Sequence, residues 1–280
     1  MPRVSIRDIQ EMKGQGKKIP VVTAYDYTSA QIAEAAGIPV VLVGDSLGMV
    51  VLGHDSTIPV SMADMLYHSQ AVVRGTSRAL VILDLPFLSY QIDADQALRN
   101  AGRALQEGGV QAVKLEGGQR TAETVRRIVE VGIPVMGHVG LTPQSVHAFG
   151  GYRAQGRKKE EALELVRDAE SLQEAGAFAV VLELIPGALG RLITKRLDIP
   201  TIGIGAGPHC DGQVQVFHDI LGLFTDFMPK HVRRYAEGFE TFKSALEQFI
   251  DDTRSSAFPS EDEDLSMDES IIKEIEEALT

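Results

Sequence analysis

Cysteine and long apolar segments are what this sequence lacks most. Its single cysteine, Cys210, cannot form a disulfide within the chain, and the spacing of cysteine and histidine fits no zinc site. The opening stretch MPRVSIRDIQEMKGQGKK has no apolar core of a secretion signal, and no run of about 18 apolar residues that could span a membrane occurs. From these absences we expect a cytoplasmic protein, neither secreted nor embedded in a membrane.

Clustered positive charge is also missing. The formal net charge is −12 over 280 residues, but residues 251–280 alone hold eleven acidic and two basic residues, so the first 250 residues are close to neutral. Nucleic-acid phosphates are bound by clustered lysine and arginine, so a nucleic-acid partner is disfavoured. In the acidic C-terminal segment, the block EDED predicts a flexible tail and IIKEIEEAL predicts a terminal amphipathic helix.

Short apolar runs rich in β-branched residues are abundant. Each run precedes a longer amphipathic segment, and several of these segments end at glycine as helices do. Apolar strands that alternate with helices are typical of a parallel sheet covered by helices. Eight such units predict a single-domain α/β protein with a (β/α)8 TIM barrel, and an open doubly wound sheet is the alternative. The runs lie near Val21, Val40, Val81, Val113, Val135, Val180, Ile202 and Val214.

The predicted domain plan has two parts. Residues 1–250 form the catalytic barrel, which begins with a short helix over Ser5 to Lys13 that plugs the bottom, and residues 251–280 form the acidic tail. The connection from Leu141 to Arg157, LTPQSVHAFGGYRAQGR, is long. Because ordered loops of this length are usually functional, we expect it to be a lid.

Carboxylates end four of the predicted strands. Asp45, Asp84 and Glu116 follow strands two to four, and Glu183 follows strand six. For any one of them, a helix N-cap or a loop hydrogen bond is the simpler interpretation. In a barrel, however, these strand ends form the active site, and three converging carboxylates would repel each other. A divalent cation would relieve that repulsion, and all-oxygen ligation favours Mg²⁺ first and Mn²⁺ second.

Lys114 and Glu116 lie two residues apart in AVKLEGG, so both face the same side of a strand. Two interpretations of Lys114 stay open: a fixed positive charge beside the metal, or a partner of Glu116 in an internal salt bridge. Glu183 has apolar neighbours that would desolvate its carboxylate, which predicts a general base opposite the metal. His138 ends the fifth run and either lines the pocket or is a buried structural residue.

Longer motifs link these residues to a known family. Between about Val21 and Asp219, and in this order, the chain resembles the ketopantoate hydroxymethyltransferases (3-methyl-2-oxobutanoate hydroxymethyltransferases) of pantothenate biosynthesis. The acidic tail lies outside the matching segments. Those segments are VTAYDYTSA, VLVGDSLGMVVLGHDSTIPVSMADMLYH, DLPF, VKLEGG, GHVGLTPQS, GGYRAQGR, LELIP, IGIGAG and DGQVQVFHD.

The resemblance implies a reaction and roles for the site residues. The implied enzyme transfers the one-carbon unit of 5,10-methylenetetrahydrofolate to 3-methyl-2-oxobutanoate through a metal-stabilised enolate, giving 2-dehydropantoate and tetrahydrofolate. It also binds one Mg²⁺ per subunit and assembles as a homodecamer of two pentameric rings. The implied roles are metal binding by Asp45, Asp84 and Glu116, contact with the 2-oxo acid by Asp45, Ser46, Asp84 and Lys114, and proton acceptance by Glu183.

Two other functions compete with this one. A Mg²⁺-dependent 2-oxo acid lyase or mutase of the phosphoenolpyruvate mutase type would share the barrel, the metal and the enolate. Such enzymes typically place a cysteine on a mobile loop, whereas Cys210 follows the seventh strand. A non-catalytic barrel that binds folate or a metal would keep the metal carboxylates, but it would have no need for Glu183 at a desolvated strand end.

Overall fold

The computed structural model describes residues 2–280. Within this part of the chain, eight parallel strands close into a barrel in chain order, and the last strand pairs with the first. The closed sheet confirms the predicted (β/α)8 barrel and excludes the open doubly wound sheet. The strands are β1 (Ile19–Thr23), β2 (Val40–Val43), β3 (Leu80–Asp84), β4 (Ala112–Glu116), β5 (Val135–Gly140), β6 (Ala179–Glu183), β7 (Thr201–Ile204) and β8 (Gly212–Gln215).

Helices connect the strands and cover the barrel. They are α1 (Ile6–Gly14), α2 (Tyr27–Ala35), α3 (Leu47–Val50), α4 (Met62–Gly75), α5 (Ala94–Gln106), α6 (Ala122–Glu130), α7 (Val146–Phe149), α8 (Lys159–Glu174), α9 (Gly187–Arg196), α10 (Phe217–Ile220), α11 (Gly238–Arg254) and α12 (Glu269–Leu279). The side chains of Asp26, Ser61 and Asp93 accept backbone N–H groups at the starts of α2, α4 and α5. Such caps satisfy donors that a helix start leaves free, which fixes where these helices begin.

The barrel wall divides the apolar core into two parts. Successive residues of a strand point to opposite faces, so one set of side chains fills the barrel and the other set packs against the helices. The inner cluster includes Leu80, Ile82, Ala112, Met136, Ala179 and Val181. The outer cluster includes Val81, Leu83, Val113, Leu115, Val180 and Leu182, together with Val125 and Ile128 of α6.

The helix α1 closes the bottom of the barrel, as predicted. Its Ile9 is fully buried and belongs to the inner cluster with Ile19. Lys13 of the same helix donates to the Leu197 carbonyl at 2.8 Å and lies 3.1 Å from the Asp211 carboxylate. These contacts join α1 to the segments that enter β7 and β8, so the opposite end of the barrel is left for a ligand.

The two C-terminal helices lie outside this core. Every residue of α11 and α12 is exposed or half-buried, and α11 carries a row of exposed apolar side chains. Because α11 runs across residue 250, the predicted boundary between barrel and tail falls inside a helix. Within residues 2–280, no helix is both long enough and apolar enough to cross a membrane.

Candidate active site

The inward-facing positions of β3 to β6 change from apolar to polar toward the C-terminal strand ends. The apolar positions are Ile82, Ala112, Met136 and Val181. Two residues further along the same strands are Asp84, Lys114, His138 and Glu183, and Glu116 lies two residues beyond Lys114. Strand register sets Asp84 beside Lys114 and Glu116 beside His138. The result is a row of ionisable side chains over an apolar floor, at the end of the barrel where such folds carry their active sites.

Asp45 reaches this row from the loop after β2. Its backbone N–H donates to Asp84 Oδ2 at 3.2 Å, and its side chain is buried. Gly44 permits this close approach, because a Cβ at that position would lie 2.8 Å from Ser46 Oγ. Ser46 Oγ in turn lies 2.9 Å from the Tyr25 hydroxyl. The loop is therefore held from both sides, with Asp45 and Ser46 next to Asp84.

Lys114 supplies a buried positive charge to the row. Its Nζ lies 2.6 Å from Asp84 Oδ1 and 3.3 Å from His138 Nδ1. Its ion-pair partner is Asp84 rather than Glu116, so the predicted salt bridge with Glu116 is not formed, and a fixed charge beside a metal stays a prediction. Burial opposes the charge, but the carboxylates of Asp84, Glu116 and Asp45 raise the pKa of Lys114, so the ammonium is maintained at neutral pH.

The carboxylates of the site carry more negative charge than Lys114 offsets. Burial, followed by the charge of Asp84, raises the pKa of Asp45 to about 7. Burial and the charge of Asp45 also raise the pKa of Glu116 well above its usual range. Raised carboxylate pKa values indicate a site that gains stability when a further cation enters.

Gln144, in the long loop after β5, holds two of these carboxylates. Its side-chain amide donates to Asp45 Oδ2 at 2.9 Å, and its backbone N–H donates to Glu116 Oε2 at 3.1 Å. Its own carbonyl oxygen accepts from the Tyr90 hydroxyl at 2.8 Å and from Gln91 at 2.9 Å. Gln144 is 5% exposed, so the start of the predicted lid is part of the site wall.

Glu183 ends β6 at the open side of the row. Its side chain is 17% exposed, so the desolvation expected from its apolar neighbours is partial, and the carboxylate is accessible from the barrel mouth. Glu183 Oε2 lies 3.2 Å from His138 Nε2 of a buried imidazole, but the two atoms are not aligned for a hydrogen bond, so Nε2 has no partner within residues 2–280. Burial, followed by the charge of Lys114, lowers the pKa of His138, so the ring is neutral at neutral pH.

The family model of ketopantoate hydroxymethyltransferase matches residues 3–261. The chain belongs to the ketopantoate hydroxymethyltransferase family. Relatives named 3-methyl-2-oxobutanoate hydroxymethyltransferase match nearly the whole chain. The protein of Chloroflexus aurantiacus (strain J-10-fl) is 59% identical, covering 95% of this chain and 94% of its own. That of Dehalococcoides mccartyi (strain CBDB1) is 53% identical with 99% of each covered, and that of Carboxydothermus hydrogenoformans is 54% identical with 98% and 100% covered.

Solved structures with a similar fold include a phosphoenolpyruvate phosphomutase, the type of enzyme that competes with this function in the sequence. A phosphonopyruvate hydrolase in complex with oxalate and Mg²⁺ has a TM-score of 0.61 and 14% identity, covering 98% of this chain and 96% of its own. A phosphoenolpyruvate phosphomutase of Streptomyces platensis subsp. rosaceus has the same score and identity, with 96% and 97% covered. At this identity they show a shared fold alone. Cys210, the single cysteine of the chain, is buried.

The carboxylates fit a divalent cation by their chemistry. Asp84 Oδ1 meets Lys114 as an ion pair without an aligned hydrogen bond, so it keeps lone pairs for another cation. Among residues 2–280, no three acidic, histidine or cysteine side chains converge closely enough to hold an ion together. Gln144 holds one oxygen each of Asp45 and Glu116, so ligation by all three carboxylates requires these side chains to turn.

Two site residues could not be identified from the sequence. Tyr90 donates its hydroxyl proton to Gln144 and accepts from the Glu116 backbone N–H at 3.1 Å, although it lies in the loop after β3. Gln144 lies 99 residues from Asp45 in the chain. The unusual length of the loop that contains Gln144 was a signal that this region is functional, but it did not single out a residue.

Proposed function

We propose that this site joins the one-carbon unit of 5,10-methylenetetrahydrofolate to C3 of 3-methyl-2-oxobutanoate, giving 2-dehydropantoate and tetrahydrofolate. The observation that carries the proposal is the row from Asp84 through Lys114 and His138 to Glu183. It sets a positive charge at one end and an accessible carboxylate at the other. That is the arrangement needed to stabilise an enolate oxygen and to accept the proton beside it.

The 2-oxo acid binds beside Asp45, Ser46, Asp84 and Lys114 in this proposal. Lys114 has three N–H groups and two close neighbours, Asp84 and His138. A further N–H group therefore remains for an oxygen of the substrate. Lys114 therefore neutralises the charge of the 2-oxo acid and of its enolate, while the Ser46 hydroxyl donates a further hydrogen bond.

Glu183 is the proton acceptor. Its carboxylate is accessible from the mouth, and its Oε2 lies 3.2 Å from Nε2 of a buried imidazole. This contact limits how the carboxylate can turn and leaves its other oxygen toward the mouth, which suits removal of the proton at C3. The resulting enolate carbon then attacks the folate-borne carbon.

Asp45, Asp84 and Glu116 would hold one Mg²⁺ per subunit. When bound, the ion polarises the keto group of the 2-oxo acid and offsets the charge that develops there. The support is the chemistry of the donors: buried oxygen ligands, two of them with raised pKa values. An assay of 2-dehydropantoate formation from 3-methyl-2-oxobutanoate and 5,10-methylenetetrahydrofolate, with and without Mg²⁺, tests both the substrates and the metal.

Replacement of a metal carboxylate should abolish that activity. We expect Asp84→Ala to lower Mg²⁺-dependent 2-dehydropantoate formation by about 100-fold or more, because a ligand and the Lys114 partner are lost together. Asp95→Ala is the matched control, since Asp95 pairs with Arg127 on the outer surface and should leave activity unchanged. Full activity of the unmodified protein in excess chelator would refute the metal assignment.

A homodecamer of two pentameric rings is the assembly we propose. Its support is the exposed apolar row on α11, since a soluble monomer rarely exposes a contiguous patch of this kind. We also propose a cytoplasmic location, where the buried thiol of Cys210 stays reduced.

A further inference from the structure

His138 lies between the positive and the negative end of the polar row. Its Nδ1 is 3.3 Å from Lys114 Nζ, and its Nε2 is 3.2 Å from Glu183 Oε2. The residue is 2% exposed, so water does not compete for either ring nitrogen. The two nitrogens therefore meet partners of opposite character.

The partners determine which nitrogen carries the proton. Lys114 is an ammonium with donors only, so Nδ1 must present its lone pair to it. Glu183 as a carboxylate has acceptors only, so Nε2 must present N–H. The next acidic atom near Nδ1 is Glu116 Oε1 at 3.7 Å, which is too far for a hydrogen bond. The neutral Nε2–H tautomer is the form that satisfies both neighbours.

We propose that His138 is a positioning residue for the proton acceptor, linking Lys114 to Glu183. Lys114 donates to Nδ1. Nε2 lies 3.2 Å from Glu183 Oε2 but is not aligned with it and has no other partner, so Nε2–H completes a chain of hydrogen bonds when the carboxylate turns toward it. The proposal rests on the proposed function, because it takes Glu183 as the group that removes the C3 proton.

The link from Lys114 through His138 to Glu183 has two consequences for the reaction. It occupies Oε2 of Glu183, so Oε1 is the oxygen left for the C3 proton. It also ties the base to the same Lys114 that binds the substrate, so both ends of the 2-oxo acid are aligned by one rigid connection through β4, β5 and β6. Groups that orient a reacting side chain in this way typically contribute about 10- to 100-fold in activity.

Neutron diffraction of the metal-free protein in D₂O tests the tautomer directly. We expect deuterium on His138 Nε2 and none on Nδ1. Deuterium on Nδ1 would overturn the proposal, because that nitrogen could then not accept a hydrogen bond from Lys114. This result does not depend on any activity of the protein.

Substitution tests the effect on proton removal. With Mg²⁺ present and folate absent, we expect His138→Leu to slow C3 hydrogen exchange of 3-methyl-2-oxobutanoate about 10- to 100-fold. The Kd of this variant for 3-methyl-2-oxobutanoate should stay within about threefold of the value for the unmodified protein. His138→Gln keeps an amide donor toward Glu183 and should recover at least about tenfold of the loss. His209→Leu, at an exposed histidine after β7, is the matched control and should exchange at the original rate.

The outcomes separate this proposal from the proposed function. Normal exchange in His138→Leu, or equally slow exchange in the Leu and Gln variants, would contradict the positioning role while Glu183 stayed the base. Absence of exchange in the unmodified protein would instead contradict the proposed function. If His138→Leu does not fold, the neutron result and His138→Gln still decide the question.

Discussion

Lys114 and Glu116 are two residues apart, share one face of β4 and serve different neighbours. Lys114 pairs with Asp84 of β3, whereas Glu116 accepts a backbone N–H from Gln144. Strand alternation was enough to predict that both face inward. Strand alternation could not predict the partners of Lys114 and Glu116, because these partners come from other strands and loops that meet β4 at the same level along the barrel axis.

Gln144 allows a first prediction at this scale. We expect Gln144→Ala to lower the free energy of unfolding by about 1–3 kcal/mol, because Asp45 and Tyr90 each lose a buried hydrogen-bond partner. Denaturant unfolding at pH 7 measures it. Gln91→Ala is the matched control: Gln91 donates to the same carbonyl but is exposed, so its loss should cost about 0.5 kcal/mol or less. Equal destabilisation of the two variants would contradict the view of Gln144 as the buried link.

At the scale of elements, Glu34 joins α2 to the chain that enters β3. Its carboxylate accepts from the Ser77 hydroxyl and the Arg78 N–H at 2.8 Å each, and from the Ala79 N–H at 3.1 Å. Burial opposes the charge, but these hydrogen bonds lower the pKa of Glu34 to about 2. A carboxyl whose pKa is lowered by folding stabilises the protein above its unfolded pKa, near 4.5, and that contribution is lost as the pH falls toward 2.

Glu34→Gln should therefore destabilise the protein in a pH-dependent way. We expect its free energy of unfolding to be about 1–3 kcal/mol lower than that of the unmodified protein at pH 7, with the gap narrowing steadily below pH 4.5. Urea unfolding at several pH values, at one protein concentration, measures the gap. Glu123→Gln, on the exposed face of α6, should show little difference at any pH. A gap for Glu34→Gln that does not change between pH 7 and pH 3 would argue against the lowered pKa.

Most elements could be predicted from the sequence because their signals are local. The apolar runs near Val40, Val81 and Val113 became β2, β3 and β4, and the segment over Ser5 to Lys13 became α1 with a one-residue shift. The end of the barrel was harder to predict. Helix α11 (Gly238–Arg254) continues through residue 250, where the sequence becomes acidic. The change in composition at this point therefore does not coincide with the end of a helix.

At the scale of the whole molecule, the apolar face of α11 supports the assembly proposed above. Each of its exposed apolar residues lies three or four positions from another, so they form one face of the helix. They are Phe239, Phe242, Leu246, Phe249 and Ile250. The family resemblance implied a decamer, but sequence alone could not show that this helix leaves its apolar face uncovered on a single chain.

Charges on that face should break the assembly. If the proposed homodecamer forms through α11, the double substitution Phe242→Glu with Leu246→Glu should convert it to smaller species in sedimentation velocity, because charged residues would have to be buried at the interface. Glu240→Gln with Glu247→Gln, on exposed acidic positions of the same helix, should leave sedimentation unchanged. If both pairs sediment like the unmodified protein, the apolar face of α11 is not an interface.

Glu183 is the proposed base that removes the C3 proton beside a cationic site. C3 hydrogen–deuterium exchange of 3-methyl-2-oxobutanoate by Glu183→Gln, with Mg²⁺ present and folate absent, tests this role without the one-carbon transfer. The amide keeps the shape of the side chain but cannot act as a base. We predict that the variant binds Mg²⁺ and the 2-oxo acid as before and loses exchange by about 100-fold or more. Exchange at the original rate in Glu183→Gln would exclude Glu183 as the base.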